Sequence, residues 1–520
     1  MKKRLLTALL SGALILTALA GCGQVAENQS GANDASAGGE SGARDELIFV
    51  NYRDIRDLNP HLYAGEMYAQ SILYDTLVSN TEDGYVGCLA EDWTISDDGR
   101  IYTFNIRDGV TFSDGTPCDA NAILANFNAI IENKERHTWL EMMNLLVGVS
   151  APDEDTFVIE MSEPYYPMLT ELACIRPFAM ISPNCMIDGS TKDGVNGYIG
   201  TGPYVLTDFV TDEYAVFERN EHYWGEAPAI QKITVKVIPD NQTRIMALEN
   251  EEIDLIFGKN MLDADAISQY VDSDRFTVSL SDPTSTRHIV LNTTHDILGD
   301  TAVRKALQHA TNRQAISEGI FYGLEPAADT LYSPTVPYCD VDLEPYAYDT
   351  EEAARLLDEA GWVMGSDGGR SKNGQKLELD LLYNSDSVTE KTISEYLQSE
   401  YLKLGISLNI HGEEEQSYRD NMKAGNFDMV FNICWGMPYD PQSSLAAMRA
   451  PVYGDYAAQQ GLEDKAEIDQ AITDILTSTD EAERQELYDF VLTRLHEDAV
   501  YIPLTYETNK ALYTSELKGV

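Results

Sequence analysis

Positive charge is scarce in this chain: 36 Lys and Arg stand against 86 Asp and Glu over 520 residues, a formal charge of −50. So acidic a surface excludes electrostatic binding of nucleic acid and opposes adhesion of the protein body to anionic lipid. Cysteine is thinly spread. Of the seven, Cys22 stands apart near the N-terminus, and Cys88, Cys118, Cys174, Cys185, Cys339 and Cys434 follow without any Cys-x-x-Cys pair. A disulfide framework is not expected in a body this large, and these six read as small buried hydrophobes. The eight histidines, His61, His137, His222, His288, His295, His309, His411 and His496, show neither His-x-His nor His-Glu-x-x-His spacing. A zinc-type site made by protein side chains alone is therefore not expected. Gly-x-Ser-x-Gly, the P-loop, Gly-x-Gly-x-x-Gly and the EF-hand pattern are all missing, so the chain does not read as an enzyme. Beyond Ala20 no run is apolar enough to cross a bilayer.

What is present is ordinary globular material: 43% hydrophobic and 9% aromatic residues. That excludes disorder of the whole, and the length fits two to four core-forming units. The N-terminus carries Lys2, Lys3 and Arg4 before an apolar run from Leu5 to Ala20, the layout of a secretory signal peptide. Leu19-Ala20-Gly21-Cys22 resembles a bacterial lipobox. The resemblance implies removal of residues 1–21 and two lipid chains on Cys22, holding the protein to the extracytoplasmic face of a membrane, a periplasmic one if the envelope has an outer membrane. Residues 22–44, rich in Gly, Ala, Ser, Asn and Glu, then form a flexible tether with a reach on the order of 25 Å.

Further on, the pattern is mixed α/β. Leu47–Val50 reads as a strand, and Ile101–Ile106 alternates, turns at Asp108-Gly109 and resumes at Val110–Phe112, which predicts a hairpin. Asp119 caps a predicted helix whose apolar stripe is Ile123, Leu124, Phe127, Ile130 and Ile131, with Asn126 and Asn128 facing away. Strands are expected at Thr156–Met161, Ala215–Arg219, Ile233–Ile238 and Arg287–Asn292. A helix capped by Asp349 and stopped by Gly361 precedes a strand at Leu377–Tyr383, a helix at Ser387–Leu404 and a strand at Ser407–His411. That β-α-β order predicts parallel strands in a covered sheet.

Leu89-Ala90-Glu91-Asp92-Trp93, the run Tyr102 to Pro117, Gly200-Thr201-Gly202-Pro203-Tyr204 and Arg219-Asn220-Glu221-His222-Tyr223-Trp224-Gly225 resemble the extracellular solute-binding proteins of family 5. These are dipeptide, oligopeptide and nickel receptors of ABC importers. The resemblance, from about Leu47 to Ala511, implies an α/β fold of two lobes with a ligand cleft between them, and a monomer serving a permease and an ATPase rather than an enzyme. The expected boundaries are 45–285 and 499–520 for the first lobe and 286–498 for the second.

Arg136-His137-Thr138-Trp139-Leu140-Glu141, Tyr165-Tyr166-Pro167, Arg176-Pro177-Phe178, Thr335-Val336-Pro337-Tyr338 and Trp435 through Pro441 are similar to the nickel-binding branch of that family. The likeness implies a cleft that takes nickel in a small multi-carboxylate chelator or with histidine, at Tyr63, Met67, Arg136, Trp139, Arg176, Trp435 and Tyr439. No resident cofactor is implied, since the nickel chelate is cargo. Arg176 offers a planar fork for a carboxylate and Arg136 a second positive charge. Tyr63, Trp139, Trp435 and Tyr439 supply flat walls with tyrosine hydroxyls free to donate, and Met67 a soft filler. His137, beside Arg136, reads as structural or as a support behind a site residue. Related nickel receptors carry a histidine after a Met-Arg-x-Pro run, whereas Met448-Arg449-Ala450-Pro451-Val452 leads here to Tyr453. Either the chelator fills the coordination sphere, or another group substitutes, or the cargo differs, with Tyr453 hydrogen-bonding the chelator. A peptide receptor on the same scaffold is the alternative, and an exported hydrolase using a carboxylate pair is the remote one.

Overall fold

Short alternating segments build a mixed sheet that runs through the molecule, ten-stranded among the described residues. The computed structural model describes residues 45–81, 84–258, 261–434 and 441–519. The leader 1–21, Cys22, the tether 22–44, Trp435 and Tyr439 lie outside them. Across the sheet the strands run in the order Tyr204–Val210, Tyr214–Arg219, Lys232–Val237, Glu46–Asn51, Leu255–Phe257, Tyr501–Thr514, Phe276–Leu291, Met429–Cys434, Glu378–Asn384 and Ser407–Glu413. A second sheet of four strands, Ala90–Ile95, Ile101–Ile106, Thr156–Met161 and Leu146–Ser150, packs with the helix Ala120–Glu132.

The β-α-β reading holds. Glu378–Asn384 and Ser407–Glu413 pair in parallel, and Ser387 caps the intervening helix Val388–Lys403 by accepting from the Glu390 amide. Ile393, Leu397 and Tyr401 of that helix are buried in one core with Leu379 and Leu381 of the strand. Asp349 likewise accepts from the Glu351 and Glu352 amides at the head of Thr350–Glu359. All six described cysteines are buried.

Two expectations fail. Ile101–Ile106 pairs not with Val110–Phe112 but with Ala90–Ile95, through the turn Ser96 to Gly99, and with Thr156–Met161. Both Gly99 and Gly109 have positive φ, so the sequence offers two equivalent turn signals. At the second, the Cys118 amide bonds to the Val110 carbonyl and the Phe112 amide to the Thr116 carbonyl, which closes a small separate loop. Asn126 does not face away. It is fully buried, donates to the Ala122 and Ile181 carbonyls and accepts from the Ile181 amide, fixing the helix to the segment that follows Phe178.

Two long strands, Phe276–Leu291 and Tyr501–Thr514, pair antiparallel along their length. Toward one end they continue into Leu255–Phe257, toward the other into Met429–Cys434. Their register shifts between Leu280 and Pro283, between Pro283 and Ser285, and between Arg287 and His288. The boundary expected at 285/286 falls inside this continuous strand, and the one at 498/499 lies just ahead of the other.

Candidate functional site

Segment 59–67 is fixed from below. The Asn59 side chain donates to the Thr191 carbonyl at 2.8 Å, and Gln70 donates to the Asn59 carbonyl at 3.1 Å. At Gly65 a Cβ would stand 2.4 Å from the Asp57 carbonyl oxygen, so only glycine lets the chain pass. This turn leaves Tyr63 and Met67 exposed, at 37% and 38%, with Met67 opening the helix Met67–Leu73.

Arg176 rises beside it. As a residue before proline it is extended, at φ −115° and ψ 122°. Its Nη1 donates to the Tyr63 and Gly65 carbonyls, both at 3.1 Å, and its guanidinium lies 5.8 Å from the centre of the Tyr63 ring. Among the described residues no carboxylate stands within ion-pair distance of it. Burial lowers its pKa, opposed by the neighbouring Tyr63 and Glu66.

The third wall comes from the loop after the helix Ala120–Glu132. Glu171, itself buried, accepts from the Glu141 amide at 3.2 Å, the Met142 amide at 3.1 Å and the Tyr165 hydroxyl at 2.6 Å. It thereby holds the head of Glu141–Leu145 and with it Trp139, which is 39% exposed. Trp139 Nε1 donates to the Tyr63 hydroxyl at 2.9 Å, and His137 Nδ1 meets the same oxygen at 2.7 Å. His137 is fully buried and its Nε2 has no hydrogen-bond partner. Burial, helped by the charge of Arg136, brings its pKa down to about 4, so the ring is neutral at pH 7. An orphaned acceptor costs less in a protein interior than an orphaned N–H, so the proton belongs on Nδ1. The Tyr63 oxygen then accepts twice, and its own proton is directed to whatever lies outside. Burial raises the Tyr63 pKa to about 12 and keeps that proton in place.

Tyr63 thus touches both Trp139 and Arg176, with Met67 two residues beyond the carbonyl that Arg176 grips. Arg136 is exposed beside His137 in the turn Lys134–His137. Tyr453 is half-buried at the head of the helix Gly454–Ala458, its pKa raised by burial against the opposing charge of Arg419. Among the described residues no group of three His, Cys, Asp or Glu is disposed to hold a metal ion. Sequence reasoning missed Glu171, a lone acid with no motif, whereas His137, expected to be structural or to support a site residue from behind, bonds the Tyr63 hydroxyl.

The family model for bacterial extracellular solute-binding proteins, family 5 Middle, matches residues 84–455. A nickel-binding periplasmic protein of Escherichia coli (strain K12) is 41% identical over 483 residues, 92% of each chain. A dipeptide-binding protein of the same organism is 26% identical, with 91% of each chain covered. Among solved structures, NikA from Brucella suis in complex with Fe(III)-EDTA superposes with a TM-score of 0.88 at 43% identity, covering 91% of this chain and 96% of that one.

Proposed function

The chain belongs to family 5 of the bacterial extracellular solute-binding proteins, and from that premise we propose that it captures nickel as a carboxylate-bearing chelate and hands it to the permease of an ABC importer. The observation that carries this reading is Arg176, a half-buried guanidinium without an ion-pair partner among the described residues, set beside the Tyr63 ring, which in turn meets Trp139. A cation so placed favours an anionic group, and the Tyr63 proton adds a directed donor for a carboxylate oxygen. The metal itself is held by the chelator, because the cluster offers rings, a guanidinium and a thioether rather than a set of hard ligands. Trp435 and Tyr439 would close the cleft from the second lobe and Tyr453 would bond the chelator. The paired strands Phe276–Leu291 and Tyr501–Thr514 would carry the hinge between the lobes. Cys22 would carry the lipid that keeps the receptor, a monomer, beside its permease.

Nickel with L-histidine is expected to raise the melting temperature well beyond what nickel or histidine does alone. Equal stabilisation by the metal-free chelator would overturn the reading, and stabilisation by dipeptides instead would move the protein to the peptide-binding branch.

A further inference from the structure

Next along the chain from the segment that Arg176 grips lies a concavity that the nickel reading does not use. It has a volume of about 430 Å³, and its walls are Phe49, Tyr52, Tyr68, Ile72, Phe257 and Met261. Strands and helix combine to make it. Phe49 stands on Glu46–Asn51, Phe257 on the neighbouring strand Leu255–Phe257, and Tyr68 and Ile72 on Met67–Leu73, the helix that Met67 opens. Phe49 and Tyr68 meet edge to face with ring centres 5.2 Å apart and form the floor. Tyr52 and Phe257, 43% and 49% exposed, form the lips. The Arg53 guanidinium lies 4.9 Å from the centre of the Tyr52 ring, while Phe257 is open at the other lip.

The charged part of the lining is already paired. Glu66 is the carboxylate at the rim; its side chain is 11% exposed, pairs with Arg53 Nε at 2.5 Å and accepts from Asn51 Nδ2 at 3.2 Å. An incoming cation therefore gains little there, and an incoming anion meets a neutral pair. Glu66 is also the residue after Gly65, whose carbonyl Arg176 grips, so cavity and cluster share one short stretch of backbone.

We propose that this cavity is a side pocket of the ligand site and takes an uncharged aromatic or branched aliphatic arm of the same chelator whose carboxylate Arg176 holds. The cargo is then an amphiphilic metal chelate, polar around the metal and apolar at one end. Its volume lies within the range of small-molecule sites and exceeds what one ring fills, which leaves room for a ring with a short linker. The proposal rests on the nickel-chelate reading and adds to it the chemistry of the ligand's remote end.

Two nickel complexes test it, those of iminodiacetate and N-benzyliminodiacetate, which share metal, donors and charge and differ in one benzyl group. Calorimetric titration of the wild-type protein is expected to show the benzyl complex binding about tenfold more tightly or better. In Phe257→Ser and in Tyr52→Ser, both changes at exposed lips, the ratio of the two affinities is expected to collapse toward one. A ratio near one in the wild type, with the iminodiacetate complex bound, overturns the pocket and leaves the nickel reading standing. A ratio that persists in both variants places the benzyl group elsewhere, and also overturns the pocket. Failure of both complexes to bind overturns the nickel reading and the pocket with it.

Discussion

Arg287 and Arg176 are both arginines withdrawn from water, and the molecule treats them oppositely. Arg287 pairs with Glu507 and lies 3.8 Å from Glu325, which in turn holds Lys510 at 3.0 Å, and all four side chains are 11% exposed or less. Burial works against the charge of Arg287, but the two carboxylates outweigh it and raise its pKa. Arg176 has only carbonyl oxygens and a ring face, and burial lowers its pKa. One cation is spent inside the fold, and the other keeps charge to offer. Lack of a carboxylate does not suffice by itself to mark a binding residue. Arg484 is fully buried, donates to the Ile475 carbonyl and to Gln442, and lies 3.5 Å from the centre of the Tyr166 ring, sealed from any ligand. Arg176 differs in standing at an open edge.

The contrast yields four predictions. Arg287→Ala takes the paired cation away from the buried Glu507 carboxylate, leaves Glu325 with Lys510 alone, and is expected to cost about 3–5 kcal/mol of stability, read as a large fall in the denaturation midpoint with chelate affinity conserved in the folded fraction. A small fall would show that the network is not dry. Acidification comes next. His137 titrates near 6.5 when unfolded and about 4 when folded, so its neutral form contributes stability above pH 6.5 that is lost as the pH falls toward 4. The melting temperature of the wild type should therefore lose ground to that of His137→Asn across this window, and a constant difference would contradict the neutral ring. Arg176→Ala is expected to leave stability nearly unchanged and to weaken chelate binding by about 2 kcal/mol, roughly thirtyfold, in a direct titration. Trp139→Phe keeps the wall but removes the donor to Tyr63, and a loss of about 1 kcal/mol in the same titration is expected.

How much of this was legible in the sequence depended on range. The β-α-β unit from Leu377 to His411 was readable because cap, stripe and alternation all fall within one short window. The hairpin was misplaced because Gly99 and Gly109 look alike locally, and only the distant partner Thr156–Met161 decides between them. Asn126 was misread by residue type, since its acceptors at Ile181 lie far along the chain. At the site, the family likeness marked Tyr63, Trp139 and Arg176, whereas the bonds that orient them, from Glu171 and His137, are tertiary. The side pocket left no trace in the sequence, because Tyr52 and Phe257 meet only after strands from separate regions pair.

The register shifts around Pro283 have a mechanical meaning. Proline has no amide hydrogen, so the ladder between the two long strands gives up a rung there before any motion begins. Under the hinge proposed for these strands, flexure at that crease would rupture no backbone bond at that position, so repeated opening to yield cargo would leave the ladder on either side intact.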